Sequence, residues 1–274
     1  MEARLLHIFR NTPEGRETLL QSIHFCKVMD AAPLVYIPRF IKFLMYFEND
    51  VVQIDLDDSY LASPGTAAER VEALTAEYGL EVAFLVPKNF TSATLPDIPS
   101  DVDFMTCPRS ISDFSAKIGL GYIGSRVRRL VRSARFPVLV PGPVCKPWTS
   151  VAVFFGGSFN AFKALKLGIR IHRQTGMPLR IFTRTEGKDP DHYRQAVQER
   201  RLDKEIAACG AEWHFWEEGT EEENFYDVPH DALIVLGVSG RGLIRDILSG
   251  SLMERVQSRL ANPLLIVGPG YSAG

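Results

Sequence analysis

The chain has 274 residues, 46% of them hydrophobic and 23% charged, with a formal net charge of −2. That length suits one large or two ordinary domains of a globular protein, and the balanced charge gives no global pull toward nucleic acid or anionic membrane. No apolar run reaches the roughly 20 residues that a membrane span needs, and the N-terminus carries no basic start ahead of a long apolar stretch. A cytoplasmic location is the expectation.

In chain order, residues 3–9 make a first short strand, and 18–29 carry helical spacing with Leu19, Leu20, Ile23 and Cys26 on one face. Residues 33–40 read as a second strand. The stretch 40–63 gives mixed signals: a helix edge, a short strand over 51–56, or a packing surface for another subunit. A helix over 66–78 turns Ala67, Val71, Leu74 and Tyr78 inward; strands follow at 81–87 and 102–107, a helix over 112–135 and a strand at 137–142. Three prolines and a glycine in 141–150 read as a linker. The same order then restarts: strand 150–155, helix 161–174, strand 178–184, a charged helix over 190–209, strands 211–216 and 231–237, a helix over 251–260 and a strand at 263–268. Strands alternating with helices predict an α/β fold with a parallel sheet covered by helices on both faces.

The two halves share a cassette. Gly124-Ser125 is followed by Pro137 and an apolar strand, and Gly250-Ser251 by Pro263 and another, the proline standing 13 residues after the glycine both times. Equal spacing of Gly-Ser, helix, proline and strand indicates an internal repeat. The division is expected at 1–143 and 144–274.

Residues 237–251, GVSGRGLIRDILSGS, follow a buried-strand pattern and lead into a helix. Glycines there let backbone N–H groups approach a ligand, and a nearby helix N-terminus favours an anion such as phosphate. A strand-to-helix turn also uses glycine for purely structural reasons.

Other signals weigh less. The four cysteines, Cys26, Cys107, Cys145 and Cys209, form no CxxC or Cys/His cluster, so they read as reduced and at least half-buried. Arg126, Arg128, Arg129, Arg132 and Arg135 read as a solvated helix face, the alternative being a contact with phosphate or an acidic partner. His172, His214 and His230 lie on separate elements and read as structural or surface groups rather than a metal site. Trp213 and Trp216 point to opposite faces of their strand. The acidic run 217–223 reads as solvated loop. Ser158 and Ser251 lack a GxSxG elbow, and no Walker lysine pattern is present.

Gly237, two residues, Gly240, nine residues, then Gly250-Ser251 resembles the signature of the universal stress proteins. The start of the second half, VAVFFGGSFNAFKAL, resembles that family's first strand and helix. The resemblance implies a tandem of two Rossmann-like, doubly wound α/β domains, each with a five-stranded parallel sheet. It implies binding without turnover, so no enzyme: an adenine nucleotide, ATP or ADP, with Mg accompanying it, held in the second domain by Gly156, Gly157, Ser158, Thr183, Gly237, Gly240, Arg241, Gly242, Gly250 and Ser251. Partners would be the nucleotide, the other half of the chain by pseudo-twofold pairing, and a further copy in a homodimer; no nucleic acid and no membrane. Two departures stand out. Gly156 falls where family members that bind nucleotide carry an Asp, and the first half has Ile111 and Phe114 where the early glycines would stand. The first site therefore reads as degenerate. The alternatives are an interaction protein that binds no nucleotide and a binder of another small ligand at the same crevice.

Overall fold

In the computed structural model, residues 2–61, 64–108, 124–216, 224–238 and 261–272 are described. The first half contributes β1 (Ala3–Ile8), α1 (Pro13–Met29), β2 (Ala31–Tyr36), β3 (Lys42–Phe47), β4 (Asp50–Asp55), α2 (Pro64–Glu77), β5 (Ala83–Phe84), β6 (Asn89–Ser92), β7 (Leu95–Ile98), β8 (Phe104–Thr106), α3 (Ser125–Ser133) and β9 (Val138–Val140). The second contributes β10 (Ser150–Phe154), α4 (Phe159–Thr175), β11 (Leu179–Arg184), α5 (Pro190–Glu199), α6 (Asp203–Ala208), β12 (Glu212–Trp216), β13 (Ala232–Gly237) and β14 (Leu264–Val267).

The main sheet has ten strands in the order β12-β11-β10-β13-β14-β9-β8-β1-β2-β5. Each half supplies five parallel strands, and the halves meet where β14 runs antiparallel to β9, with Leu265 opposite Leu139. The α/β fold with doubly wound parallel sheets is as the sequence implied.

Alternation along the strands sets the two faces. Leu5 packs with Phe25 and Cys26 of α1, while Leu6 and Ile8 pack on the opposite face. The linker is pinned rather than loose. The Gln21 amide of α1 donates to the Gly142 carbonyl (3.0 Å) and accepts from its N–H (2.8 Å). The Cys145 N–H donates to Glu17.

The stretch 40–63 differs most from the reading of a parallel sheet sandwiched between helices. β3 and β4 form an antiparallel hairpin, β7 joins β3 in parallel and β6 joins β7, giving a second sheet ordered β4-β3-β7-β6. Its inner residues Phe43, Met45, Val52 and Ile54 bury themselves against Leu6, Ile8 and Met105 of the main sheet and Val127 and Leu130 of α3. A sheet, not a helix alone, thus covers that face of the first half. The basic run that starts on α3 ties to it: Arg126 pairs with Asp55 (2.8 Å), Arg129 with Asp50 (2.8 Å) and, just past the helix, Arg135 with Glu48. The run is solvated, as expected, with the Arg129 and Arg135 side chains 60% and 55% exposed, and it also pairs with acidic groups of the protein's own second sheet.

The strand expected over 81–87 shrinks to two residues, and Pro33 accounts for its late start. The Val35 carbonyl accepts from Leu85 while that of Tyr36 accepts from Phe9, so odd-numbered residues of β2 face β5. Pro33 therefore presents its missing N–H to that edge, and pairing begins only at Leu34. The single helix expected over 190–209 is two helices, interrupted at Arg201, whose φ is +60°. The helix expected over 251–260 and the first part of 112–135 lie outside the described residues.

Candidate functional site

In the second half the strand order β11-β10-β13-β14 places the switch point between β10 and β13. β10 is followed in sequence by β11 on one side and β13 by β14 on the other, the arrangement whose carboxyl ends form the ligand crevice of open α/β sheets. β10 runs out through Phe155 into Gly156-Gly157-Ser158, and β13 ends on Gly237.

Gly156 is exposed, and a Cβ built on it meets nothing within 4 Å. Gly157 has φ +72°, a conformation costly for other residues, and lies beside the Tyr193 ring. Ser158 caps α4: its hydroxyl accepts the Ala161 N–H at 3.2 Å. Its side chain is thereby committed to the helix terminus, whose dipole faces the crevice.

Thr183 is fully buried. Its hydroxyl donates to the Phe155 carbonyl (2.8 Å) and accepts from the Trp213 indole N–H (2.9 Å). It braces the exit of β10 against β12 and presents no polar atom to a ligand. Gly237 has a packing role. A Cβ there would lie 2.1 Å from the Asn160 main-chain oxygen, so only glycine lets β13 run this close to the first turn of α4. Gly240, Arg241, Gly242, Gly250 and Ser251 lie outside the described residues, as does the acidic run 217–223.

Asn160 was not singled out by sequence reasoning. It is buried, its side-chain N–H donates to the Val238 carbonyl, and its Oδ1 has no hydrogen-bond partner among the described residues. Such an orphan acceptor beside a crevice calls for a donor. The only sequence signal for it was its position two residues after the N-cap serine. Lys163, one turn further along α4, donates to the Pro269 carbonyl at 2.7 Å and ties that helix to the end of β14.

The histidines are dispersed, as expected. His172 bonds the Met177 carbonyl (2.7 Å) and His214 stacks on Phe182 with ring centroids 4.9 Å apart. Trp213 and Trp216 enter different core clusters, on opposite faces. Cys26 and Cys107 are buried, and burial pushes the Cys26 thiol up to about 12. No group of three or more His, Cys, Asp or Glu suited to a metal ion occurs among the described residues. No helix among them is long and apolar enough to cross a membrane.

In the first half the equivalent point, past β1, is crossed by protein. Arg10 donates to Ser59 (2.6 Å), approaches Asp57 (3.7 Å) and lies over the Tyr60 ring. Nearby, His7 Nδ1 lies 2.9 Å from Ser22 Oγ, which lies 2.8 Å from Thr106 Oγ1. All three are buried, and burial pushes His7 down to about 3, so the ring is neutral at ordinary pH.

No family model matches the chain, and no curated protein matches it. Solved structures do. A universal stress protein from Archaeoglobus fulgidus DSM 4304 aligns with a TM-score of 0.62 at 19% identity, over 97% of this chain and 96% of that one. A putative universal stress protein from Pseudomonas aeruginosa UCBPP-PA14 aligns at 0.58 and 13% identity, over 98% and 94%. A functionally unknown protein from Pseudomonas aeruginosa PAO1 aligns at 0.56 and 13% identity, over 98% and 93%. The chain has the universal stress protein fold over nearly its whole length.

Proposed function

We propose that this chain, built on the universal stress protein fold, is a tandem universal stress protein whose second half binds an adenine nucleotide, ATP or ADP, without turning it over. The observation that carries the reading is the switch point. β10 and β13 lie side by side, their following strands β11 and β14 stand on opposite sides, and each of the two runs into glycine, with open space above Gly156. The α4 N-terminus and the orphan Asn160 acceptor flank that space, and the 237–251 motif is the sequence feature expected to hold phosphates. Gly156, Gly157 and the backbone after Gly237 would face the ligand; Ser158 and Thr183 would support it through the helix cap and the β10 brace. Mg would arrive with the phosphates. Binding without turnover is favoured because Ser158 and Thr183 spend their hydroxyls on protein groups. A role in stress response or signalling, in the cytoplasm, follows from the family reading.

The test is calorimetric titration of the full chain with ATP, ADP and AMP, alongside Gly240→Val. Saturable binding lost in the variant supports the proposal. No binding, or binding unaffected by Gly240→Val, overturns it in favour of an interaction protein or a ligand at another site. Hydrolysis well above background overturns the non-enzyme reading alone.

A further inference from the structure

Beneath the β6–β7 hairpin, at the carboxyl ends of β2 and β5, lies a second cavity of about 320 Å³. Buried Tyr36 and half-buried Phe84 line it from the main sheet, and Ala68 from α2. Phe40 and Phe90 form a wall, edge to face with centroids 6.2 Å apart. Val86 at the rim is 69% exposed and Phe90 47%. Apolar side chains left this open around a concavity mark a ligand site more often than a bare surface.

The charge at the rim narrows the ligand. Arg39 is the one charged group among the described lining residues, it is exposed, and no described residue forms an ion pair with it. No carboxylate lines the cavity, and the first turn of α2 carries no acid. The neighbouring cavity, of about 500 Å³, shares Leu85, Val86 and Pro87, but its charges are mixed: Asp97 and Asp101 stand with Arg4 and Lys88, and Arg4 pairs with Asp101 (3.3 Å), so the cation left without a carboxylate beside it is Arg39. A guanidinium beside an aromatic-walled pocket matches a carboxylate attached to a flat apolar body.

We infer that this cavity binds a small aromatic carboxylic acid, its ring against Phe40 and Phe90 and its carboxylate on Arg39. The volume is at the lower end of the roughly 300–1,000 Å³ range of ligand pockets, and one cation does not match a nucleotide's several charges. The site belongs to the first half and is made by its added sheet, so it is separate from the second-half crevice and does not depend on the nucleotide reading.

The probe is 2-naphthylacetate, titrated into the full chain by calorimetry, with 2-naphthylacetamide as its neutral counterpart. Expected are single-site binding with Kd below about 1 mM and an amide about tenfold weaker. Arg39→Gln should erase that preference, and Phe90→Ala, at an exposed position, should weaken both probes. Ala68→Phe should block both, with circular dichroism checking its fold; if it unfolds, Phe90→Ala decides. Saturating ADP should displace neither probe. No saturable binding up to the solubility limit, equal affinity for acid and amide, an acid preference that survives Arg39→Gln, binding unmoved by Phe90→Ala, or displacement by ADP would each overturn the inference.

Discussion

The main-chain oxygen of Asn160 stands where a β-carbon at Gly237 would have to be, 2.1 Å from its ideal position. The end of β13 and the first turn of α4 are therefore in backbone contact. Gly237→Ala should destabilise the protein by about 1–3 kcal/mol or more through overpacking, read as a lower urea midpoint. Unchanged stability would show that the two elements can separate freely.

Gly156 offers the opposite case. Its Cβ would enter open space, so Gly156→Asp should fold normally. It supplies the carboxylate that the family resemblance places there, against the adenosine. ADP affinity should rise about tenfold, the worth of a charge-assisted hydrogen bond. A variant that folds and binds ADP no better would place the nucleotide elsewhere.

Thr183→Val should be costly without touching ligand binding. It leaves the Trp213 indole N–H without its acceptor and the Phe155 carbonyl without the Thr183 hydroxyl. About 1–3 kcal/mol of stability should go, with ADP affinity unchanged in whatever fraction remains folded. A selective loss of affinity at intact stability would return Thr183 to the ligand's own contacts.

The clamp between α3 and the added sheet should loosen in acid. Arg129 and Ser133 bond the Asp50 carboxylate and hold it down at about 2, below its ordinary 3.8. A carboxylate with a depressed pKa contributes stability above its unfolded value and loses it as pH falls through the folded one. The contribution should fade between about pH 4 and pH 2. In Asp50→Asn that part of the acid dependence should be absent when urea midpoints are compared across this window.

His7 acts at higher pH. Its ring stays neutral in the folded protein down to about 3, whereas the unfolded chain takes up a proton near 6.5. Between these values the unfolded state binds more protons, so stability falls as pH falls, by up to about 1.4 kcal/mol per unit. His7→Asn should flatten that slope from pH 6 to pH 4. Parallel pH profiles for the two proteins would mean that His7 is protonated or hydrated in the fold.

Much of the main sheet was legible because its strands announce themselves. Runs such as the one ending in Gly237 are continuously apolar, as parallel strands buried on both faces must be. Of the added sheet only β4 was legible, as the short strand over 51–56 among the readings of that stretch. β3 and β4 bury one side against the core and turn Tyr46 and Val51 outward, and β7, the other neighbour of β3, pairs with it across a long reach of chain, Leu44 with Asp97. No local period records that pairing. The acidic partners of the α3 arginines were hidden for the same reason: Asp50 and Asp55 lie far off in sequence, and only the fold brings them together. At the candidate site the glycines and Ser158 could be found by motif, but their division of labour could not. Whether a hydroxyl faces a ligand or a neighbouring carbonyl depends on strand register, as Thr183 shows.

The antiparallel meeting of β9 and β14 has a directional outcome. Because every other main-sheet strand runs parallel to its own half, the carboxyl ends of the two halves point opposite ways. The cavity past β2 and the crevice past β10 thus open toward opposite ends of one continuous sheet. A guest at either of the two proposed sites would therefore leave the other free, with the five hydrogen-bonded strands β13, β14, β9, β8 and β1 lying between them.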